Sequence, residues 1–317
     1  MFLSVIIPCY RETEEQLTRC LDSLAFLNGL CQWEAWIIDD GSPQDAVTGW
    51  VDARHDSHLH VVRQPNQRQS VARNKGIELA TGRYLAFLDA DDEWIPTEYA
   101  RIIRILLDKQ PDLLGLRCQR TRVPYYEGDA LLFMASQDII PMACGYIVRR
   151  DVLGTLRYTP GIYHEDEEFN THLHLQAHSL IMTPIVAYRY HHNPQSTVRS
   201  TDPARLAKRF SDLLGVVKRI QQLALNAPSR SPETLNAPSG SLEAKALERR
   251  LHVIAMCYVA DLFRSAPDAA FLHHHLDGLR HLGLFPLPPY PGIHRYAWIR
   301  LLSRWTISYH LLHWITG

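Results

Sequence analysis

The chain has 317 residues, 46% hydrophobic and 21% charged, with a formal net charge of −1 at pH 7. That length suits one large domain or a domain with an appendage, and the balance is that of a folded chain rather than a disordered one. Near-neutrality argues against a general nucleic-acid-binding surface, which needs a basic excess. The cysteines are scattered without a CxxC pair, which favours reduced thiols and a cytoplasmic setting. Met1-Phe-Leu-Ser-Val-Ile-Ile-Pro8 lacks a basic n-region and a cleavage site, so it reads as a strand rather than a signal peptide.

Residues 3–7 form a strand that Pro8 is expected to end, because proline donates nothing to a central ladder. Thr13 caps a helix over about 13–27 whose Leu17, Leu21, Leu24 and Leu27 share a face, with Asn28-Gly29 closing it. Trp33 to Ile38 is a second buried strand that ends in Asp39-Asp40-Gly41-Ser42, a turn with glycine at positive φ. A helix near 44–54, a strand at 58–63 and a polar loop at 65–70 lead into a helix over 71–80. Tyr84 to Leu88 is an apolar run that reads as a buried strand and stops at Asp89, Asp91 and Asp92.

This alternation is the pattern of βαβ units on a parallel sheet. Two strands ending in acid place carboxylates on one sheet edge, where open α/β sheets bind ligands. Carboxylates so close repel each other unless a cation lies between them, and hard oxygen ligands favour Mg²⁺ or Mn²⁺. The plainer alternative is a solvated acidic turn ahead of the next helix.

Pro96 opens a helix over 96–109 with Ile102, Ile103, Leu106 and Leu107 inward. A strand at 112–123, an ambiguous stretch at 124–138, a strand at 143–149 and a short helix near 150–155 follow. His164-Glu-Asp-Glu-Glu-Phe169 opens a helix to about His178, and 181–190 form a last strand before His191. Helices are expected at 203–224 and 241–264, joined by a flexible linker near 225–241. His273-His274-His275 reads as a solvated helix face. The tail from Tyr296 to Ile315 mixes Trp298, Trp305 and Trp314 with Arg300 and Arg304. Such a helix either lies in a membrane interface or packs on the main domain.

Ser4-Val-Ile-Ile-Pro-Cys-Tyr10, Ile38-Asp-Asp-Gly-Ser42, Ala72-Arg-Asn-Lys-Gly76, Leu88-Asp-Ala-Asp-Asp92 and Glu165-Asp166 follow one another over roughly residues 1–200. In this order they resemble the inverting, metal-dependent nucleotide-sugar glycosyltransferases of family 2, which have the GT-A fold. The resemblance implies an α/β GT-A (Rossmann-like) domain at 1–203, a mostly parallel sheet flanked by helices, with a helical C-terminal extension at 204–317. It places Pro8 and Tyr10 at the donor base, Asp39 as acceptor from that base, and Asp40 beside it serving fold or ribose. Arg73 reaches the nucleotide or its phosphates, Asp89 the ribose side, and Asp91 the Mn²⁺ or Mg²⁺ ion with Asp92 behind it. Asp166 matches the base that takes the acceptor proton, and Glu165 tunes it or binds acceptor. His191 stands where the family often has a basic residue that touches metal or diphosphate. Asn74 and Gly76 pack helix on sheet.

The implied reaction moves a sugar from a nucleotide donor to a hydroxyl of a glycan or lipid-linked acceptor, with inversion, in cell-surface polysaccharide synthesis such as capsule or lipopolysaccharide. UDP-sugar comes first as donor, because Asp39 suits uracil, with dTDP and GDP next. The setting implied is cytoplasmic, with peripheral membrane contact through the tail helix. Two other readings remain. A nucleotidyltransferase would carry a Gly-rich basic loop where this chain has Cys9-Tyr10-Arg11-Glu12. A non-catalytic GT-A-like binding protein would lack the carboxylates at the metal and base positions.

Overall fold

In the computed structural model, which describes residues 1–43, 46–118, 124–191, 202–226 and 241–288, the apolar runs become strands of one sheet. They are β1 (Leu3–Cys9), β2 (Trp33–Asp39), β3 (Leu59–Arg63), β4 (Tyr84–Phe87), β5 (Glu93–Trp94), β6 (Leu113–Cys118), β7 (Tyr126–Gly128), β8 (Tyr146–Arg149) and β9 (Leu180–Arg189). The order is β3-β2-β1-β4-β8-β6-β9-β5, with β7 beside β9. β1, β2, β3, β4, β6 and β9 share one direction, and β5, β7 and β8 oppose it. The sheet belongs to a unit made of Met1–Ala130, Ile139–Gly161 and Glu165–Pro194. Leu131–Asp138, Ile162–His164 and Gln195–Gly317 make a second unit.

The sheet is flanked by α1 (Glu14–Asp22), α2 (Ala46–Asp52), α3 (Arg68–Leu79), α4 (Pro96–Lys109), α6 (Arg150–Leu153) and α7 (Glu165–Gln176), with α5 (Ala130–Ser136) lying between β7 and β8 in sequence. Side chains alternate across β1. Leu3, Val5, Ile7 and Cys9 join a core with Leu17 and Leu21 of α1 and Ile102 and Leu106 of α4. On the opposite face Ile6 meets α3, where a Cβ on Gly76 would come within 2.3 Å of its Cγ2. Glycine there is what lets the helix approach the sheet so closely.

Several expectations are corrected. β1 does not end at Pro8 but pairs through Cys9, with Pro8 opposite Ile38 of β2. Cys9 directs its carbonyl to β2, accepting from Asp40 N–H, so Pro8 faces the β4 side, where β4 ends at Phe87. Its missing donor therefore costs no ladder bond. The first helix stops at Asp22, because the Ser23 hydroxyl turns back to the Cys20 carbonyl at 2.6 Å. Leu24 and Leu27 are still buried, through a short turn over Ala25–Leu27. α3 starts at Arg68, within the segment expected to be loop, on a left-handed backbone (φ +70°).

The helix over 96–109 has the expected bounds, but Leu107 is 41% exposed. Residues 143–145 form a turn ahead of β8 rather than its first residues. Of the strand expected over 112–123, Leu113–Cys118 is described, and 119–123 lie outside the described residues.

In the second unit, α8 (Pro203–Asn226), α9 (Leu242–Ser265) and α10 (Ala269–His281) pack together. Each begins at a residue that accepts from a first-turn amide: Asp202 from Arg205 N–H, Ser241 from Ala244 N–H and Asp268 from Phe271 N–H. The histidine run is not wholly a solvated face. His275 is buried against Phe210 and Phe271, with its Nδ1 2.8 Å from the Tyr258 hydroxyl. The expected tail helix and most of the expected linker lie outside the described residues. Among those described, no helix is long and apolar enough to cross a membrane.

Candidate active site at the carboxyl edge of the sheet

β1, β2 and β4 run parallel, so the loops that leave them emerge on one edge. At the end of β2, Asp39 is fully buried and shares its two oxygens between partners. Oδ1 accepts from Ser42 N–H at 2.8 Å and Oδ2 from Arg63 Nη1 at 2.9 Å. Arg63 Nη2 also donates to the Ser42 carbonyl at 2.9 Å. Asp40 turns the other way, its Oδ1 accepting from Gln64 Nε2 at 2.7 Å and Gln67 N–H at 2.9 Å, so it shapes the loop ahead of α3. Gly41 is left-handed (φ +79°), and a Cβ there would meet Asn66 N at 2.8 Å. Across the same edge the Ser42 hydroxyl accepts from Arg11 N–H at 3.1 Å. Tyr10 is 39% exposed, its ring 5.0 Å from the Arg11 guanidinium.

The loop after β4 carries the acid cluster. Asp92 is buried and held by donors from the end of β9: Tyr188 Oη at 2.7 Å on Oδ2 and His191 N–H at 2.7 Å on Oδ1. Burial and then the charge of Asp89 push its carboxyl up to about 7, against those two hydrogen bonds and with Asp91 adding to the rise. The Asp91 carbonyl accepts from Arg19 Nη2 at 2.7 Å. Glu12, at the end of the β1 loop, is raised first by burial, with Asp91 adding to it, and its carboxylate accepts from Tyr10 N–H. The His191 ring lies on Glu93, Nε2 to Oε1 at 3.2 Å, and Arg189 pairs with the same Glu93 oxygen.

Arg73 of α3 joins this cluster to α7. Its Nη2 donates to Asp89 Oδ1 at 3.0 Å and its Nη1 to Glu165 Oε1 at 2.8 Å. The Tyr158 ring lies 5.4 Å from the guanidinium and stacks on Phe169 of α7 at 3.7 Å. Burial by itself would lower the guanidinium's pKa, but the Asp89 and Glu165 charges outweigh it, so Arg73 stays protonated. Glu165 is 2% exposed and takes a second donor, Gln69 Nε2, at 2.7 Å on the same oxygen. Asp166 follows in the first turn of α7, where its Oδ1 accepts from Glu167 N–H at 3.0 Å. Asn74 exchanges two bonds with the Tyr158 backbone, at 2.8 and 2.9 Å.

Arg73 thus brings Asp89 and Glu165 together, while Asp39 and Asp40 close loops on their own side of the edge. Gln69, Tyr188 and Arg63 had no sequence signal, because each acts through a partner distant in the chain.

Among the described residues, no group of three or more His, Cys, Asp and Glu side chains is arranged to hold a metal ion by itself. The donor set nevertheless fits a hard cation. Asp92 and Glu12 are both raised partly by neighbouring carboxylates, which is repulsion that a cation relieves. A cation with few protein oxygens completes its shell from water and phosphate, as Mg²⁺ commonly does.

A sheet of this order with helices around it and an acid loop at its carboxyl edge has the GT-A fold. The TarS 1–349 fragment of S. aureus, solved with UDP-GlcNAc, matches with a TM-score of 0.68 at 16% identity, over 100% of this chain and 89% of that one. The mannosyltransferase PcManGT of Pyrobaculum calidifontis, solved with GDP-Man and Mn²⁺, gives 0.56 at 16% identity, over 98% and 86%. At such identities the likeness is one of fold.

Residues 4–141, a little under half of the chain, match the model of glycosyl transferase family 2. An uncharacterized glycosyltransferase of Escherichia coli (strain K12), YibD, is 30% identical over 214 residues, 60% of this chain and 62% of its own. The amylovoran biosynthesis glycosyltransferase AmsB of Erwinia amylovora is 37% identical over 97 residues, 29% of this chain and 31% of its own. The chain therefore spans less than two thirds of the length of these relatives.

Proposed function

We propose that the protein is an inverting glycosyltransferase that moves a sugar from a nucleotide-diphosphate donor, UDP-sugar first, to a hydroxyl of a glycan or lipid-linked acceptor in cell-surface polysaccharide synthesis. The observation that carries this reading is the Arg73 bridge between Asp89 and Glu165. It ties the acid loop of the donor side to the helix that bears Asp166. The polysaccharide setting draws support from AmsB, and a nucleotide-sugar donor from TarS and PcManGT.

In this reading Pro8 and Tyr10 lie along the base, the exposed tyrosine offering a ring face. Asp39 spends one lone pair of each oxygen inside the protein, and carboxylate oxygens keep a second for a uracil N–H. Asp40, Arg73 and Asp89 shape the ribose and phosphate side, and His191, whose amide anchors Asp92, completes that end. Asp91, with Asp89 alongside, would hold Mn²⁺ or Mg²⁺, which supplies positive charge to the departing diphosphate.

Asp166 is the base. The acceptor hydroxyl passes its proton to the Asp166 carboxylate as its oxygen bonds to the anomeric carbon from the face opposite the leaving group. The bond from that carbon to the phosphate oxygen breaks, and its electron pair leaves on the nucleoside diphosphate. One displacement inverts the centre. The domain at 1–203 carries this chemistry.

Thermal stabilisation by UDP, dTDP and GDP, each with and without Mn²⁺, tests the donor and metal. A ligand at about 100 times its Kd raises stability by roughly 2.7 kcal/mol. UDP with Mn²⁺ is expected to do so for the wild type and for Asp166→Asn, but not for Asp91→Ala. Sugar transfer is expected to fall at least about a hundredfold in Asp166→Asn. Equal stabilisation of Asp91→Ala, or full activity of Asp166→Asn, would sink the corresponding assignment.

A further inference from the structure

α7 does not begin on an extended capping residue. His164, which precedes it, is left-handed (φ +62°), whereas an N-cap residue is normally extended. What fixes the start of α7 within the sheet unit is the side chain of its first residue. Glu165 is buried, and its Oε1 accepts from Gln69 Nε2 at 2.7 Å and from Arg73 Nη1 at 2.8 Å. Both donors come from the first two turns of α3, one helical turn apart. Gln69 reaches this position because α3 begins at Arg68 on a left-handed backbone. A non-glycine residue with positive φ is uncommon.

We propose that Gln69 is a positioning residue, whose amide closes with Arg73 a two-donor clamp on Glu165 and so fixes where α7 presents Asp166. The two donors have different work. Arg73 is also tied to Asp89, so it serves both carboxylates, while the Gln69 side chain is assigned by the geometry to Glu165. Losing Gln69 leaves the buried ion pair and the fold intact but lets the first turn of α7 shift. A shift of that size matters most to proton transfer, which depends on placement to within about an ångström. The proposal rests on the transferase reading for the role of Asp166, and the test separates the two.

Gln69→Ala, Gln69→Lys and Gln69→Glu are compared with the wild type. Lysine keeps an N–H donor, alanine removes it, and an ionised glutamate replaces it with repulsion. Hydrogen exchange is read at Phe169 and Asn170, whose amides close the first helical bonds onto Glu165 and Asp166. The expected order is fastest for Gln69→Glu, then Gln69→Ala, then Gln69→Lys, with the wild type slowest. In the transfer assay kcat is expected to fall about ten- to a hundredfold in Gln69→Ala, to recover partly in Gln69→Lys, and to leave the donor KM within about threefold. Exchange independent of the side chain overturns the clamp, whatever the activity. A fall in donor affinity that matches the fall in turnover makes Gln69 a donor contact instead and also overturns it. A wild type that transfers from no nucleotide sugar overturns the transferase reading, and the exchange order alone then decides the clamp.

Discussion

Arg73 is the side chain through which most of the site communicates. In the sequence it stands in Ala72-Arg-Asn-Lys-Gly76, and its type suggests an oxyanion partner. The partners it has within the protein are carboxylates 16 and 92 positions along the chain, Asp89 and Glu165, and the two terminal nitrogens are divided between them. No pattern of spacing announces such a pairing. Asp89 was legible because it ends an apolar run, and Glu165 through the Glu-Asp pair that resembles the family's; that they share a guanidinium is decided by how α3 and α7 pack on the sheet.

Removing the charge leaves Glu165 buried against an apolar neighbour. Arg73→Met is therefore expected to destabilise the protein by about 3–5 kcal/mol, measured by urea unfolding. A loss under about 1 kcal/mol would mean that the bridge adds little to stability.

At the scale of elements, the parallel half of the sheet was readable because its strands are apolar runs bounded by Gly, Pro and acid. β5 and β7 were not, since Glu93–Trp94 and Tyr126–Gly128 are too short to carry a period. The early start of α3 was hidden for another reason. Arg68 and Gln69 are polar residues at its exposed end, and polarity there reads as loop. The sequence did announce Gly76 as a residue that packs helix on sheet, and the structure identifies the contact as Ile6. Gly76→Ala forces that contact and is expected to cost about 1–3 kcal/mol. In an Ile6→Ala background the same change should cost clearly less, which a double-mutant cycle in chemical denaturation measures. Additive costs would show that α3 does not rest on Ile6.

At the scale of the whole molecule, each unit encloses a histidine that burial keeps neutral. His174 of α7 is fully buried, with Nδ1 2.7 Å from the Asn170 carbonyl, and burial lowers it to about 4. His275 of the helical unit is lowered to about 4 by burial and then by His274. The unfolded chain takes up these protons more readily than the fold does. Stability contributed by His174 is thus complete above about pH 6.5 and falls as pH drops toward 4, by about 3 kcal/mol at most. The Tm followed by circular dichroism from pH 8 to 4.5 should decline over this window, and His174→Gln should flatten the slope. An unchanged slope in that variant would mean His174 is not among the groups that titrate on unfolding.

The reversed strand at the centre of the sheet has one more consequence. Because β8 runs against β4, with Ala86 opposite Ile147 and Tyr84 opposite Arg149, it begins at the edge where β4 ends. The rim beside the acid loop is therefore built from a chain arriving as well as from chains departing. The departing loops leave strands whose register their neighbours fix, β1 lying between β2 and β4. The arriving segment is held along its length, with Asn170 Nδ2 donating to the Ile140 and Met142 carbonyls at 2.9 and 3.1 Å and Ile140 N–H donating to the Tyr146 hydroxyl at 2.8 Å. These ties run to α7 and to β8, and Cys144 joins the same core as β1, β2 and β4. One rim is thus built from two chain directions, the outgoing one held by sheet register and the incoming one by α7.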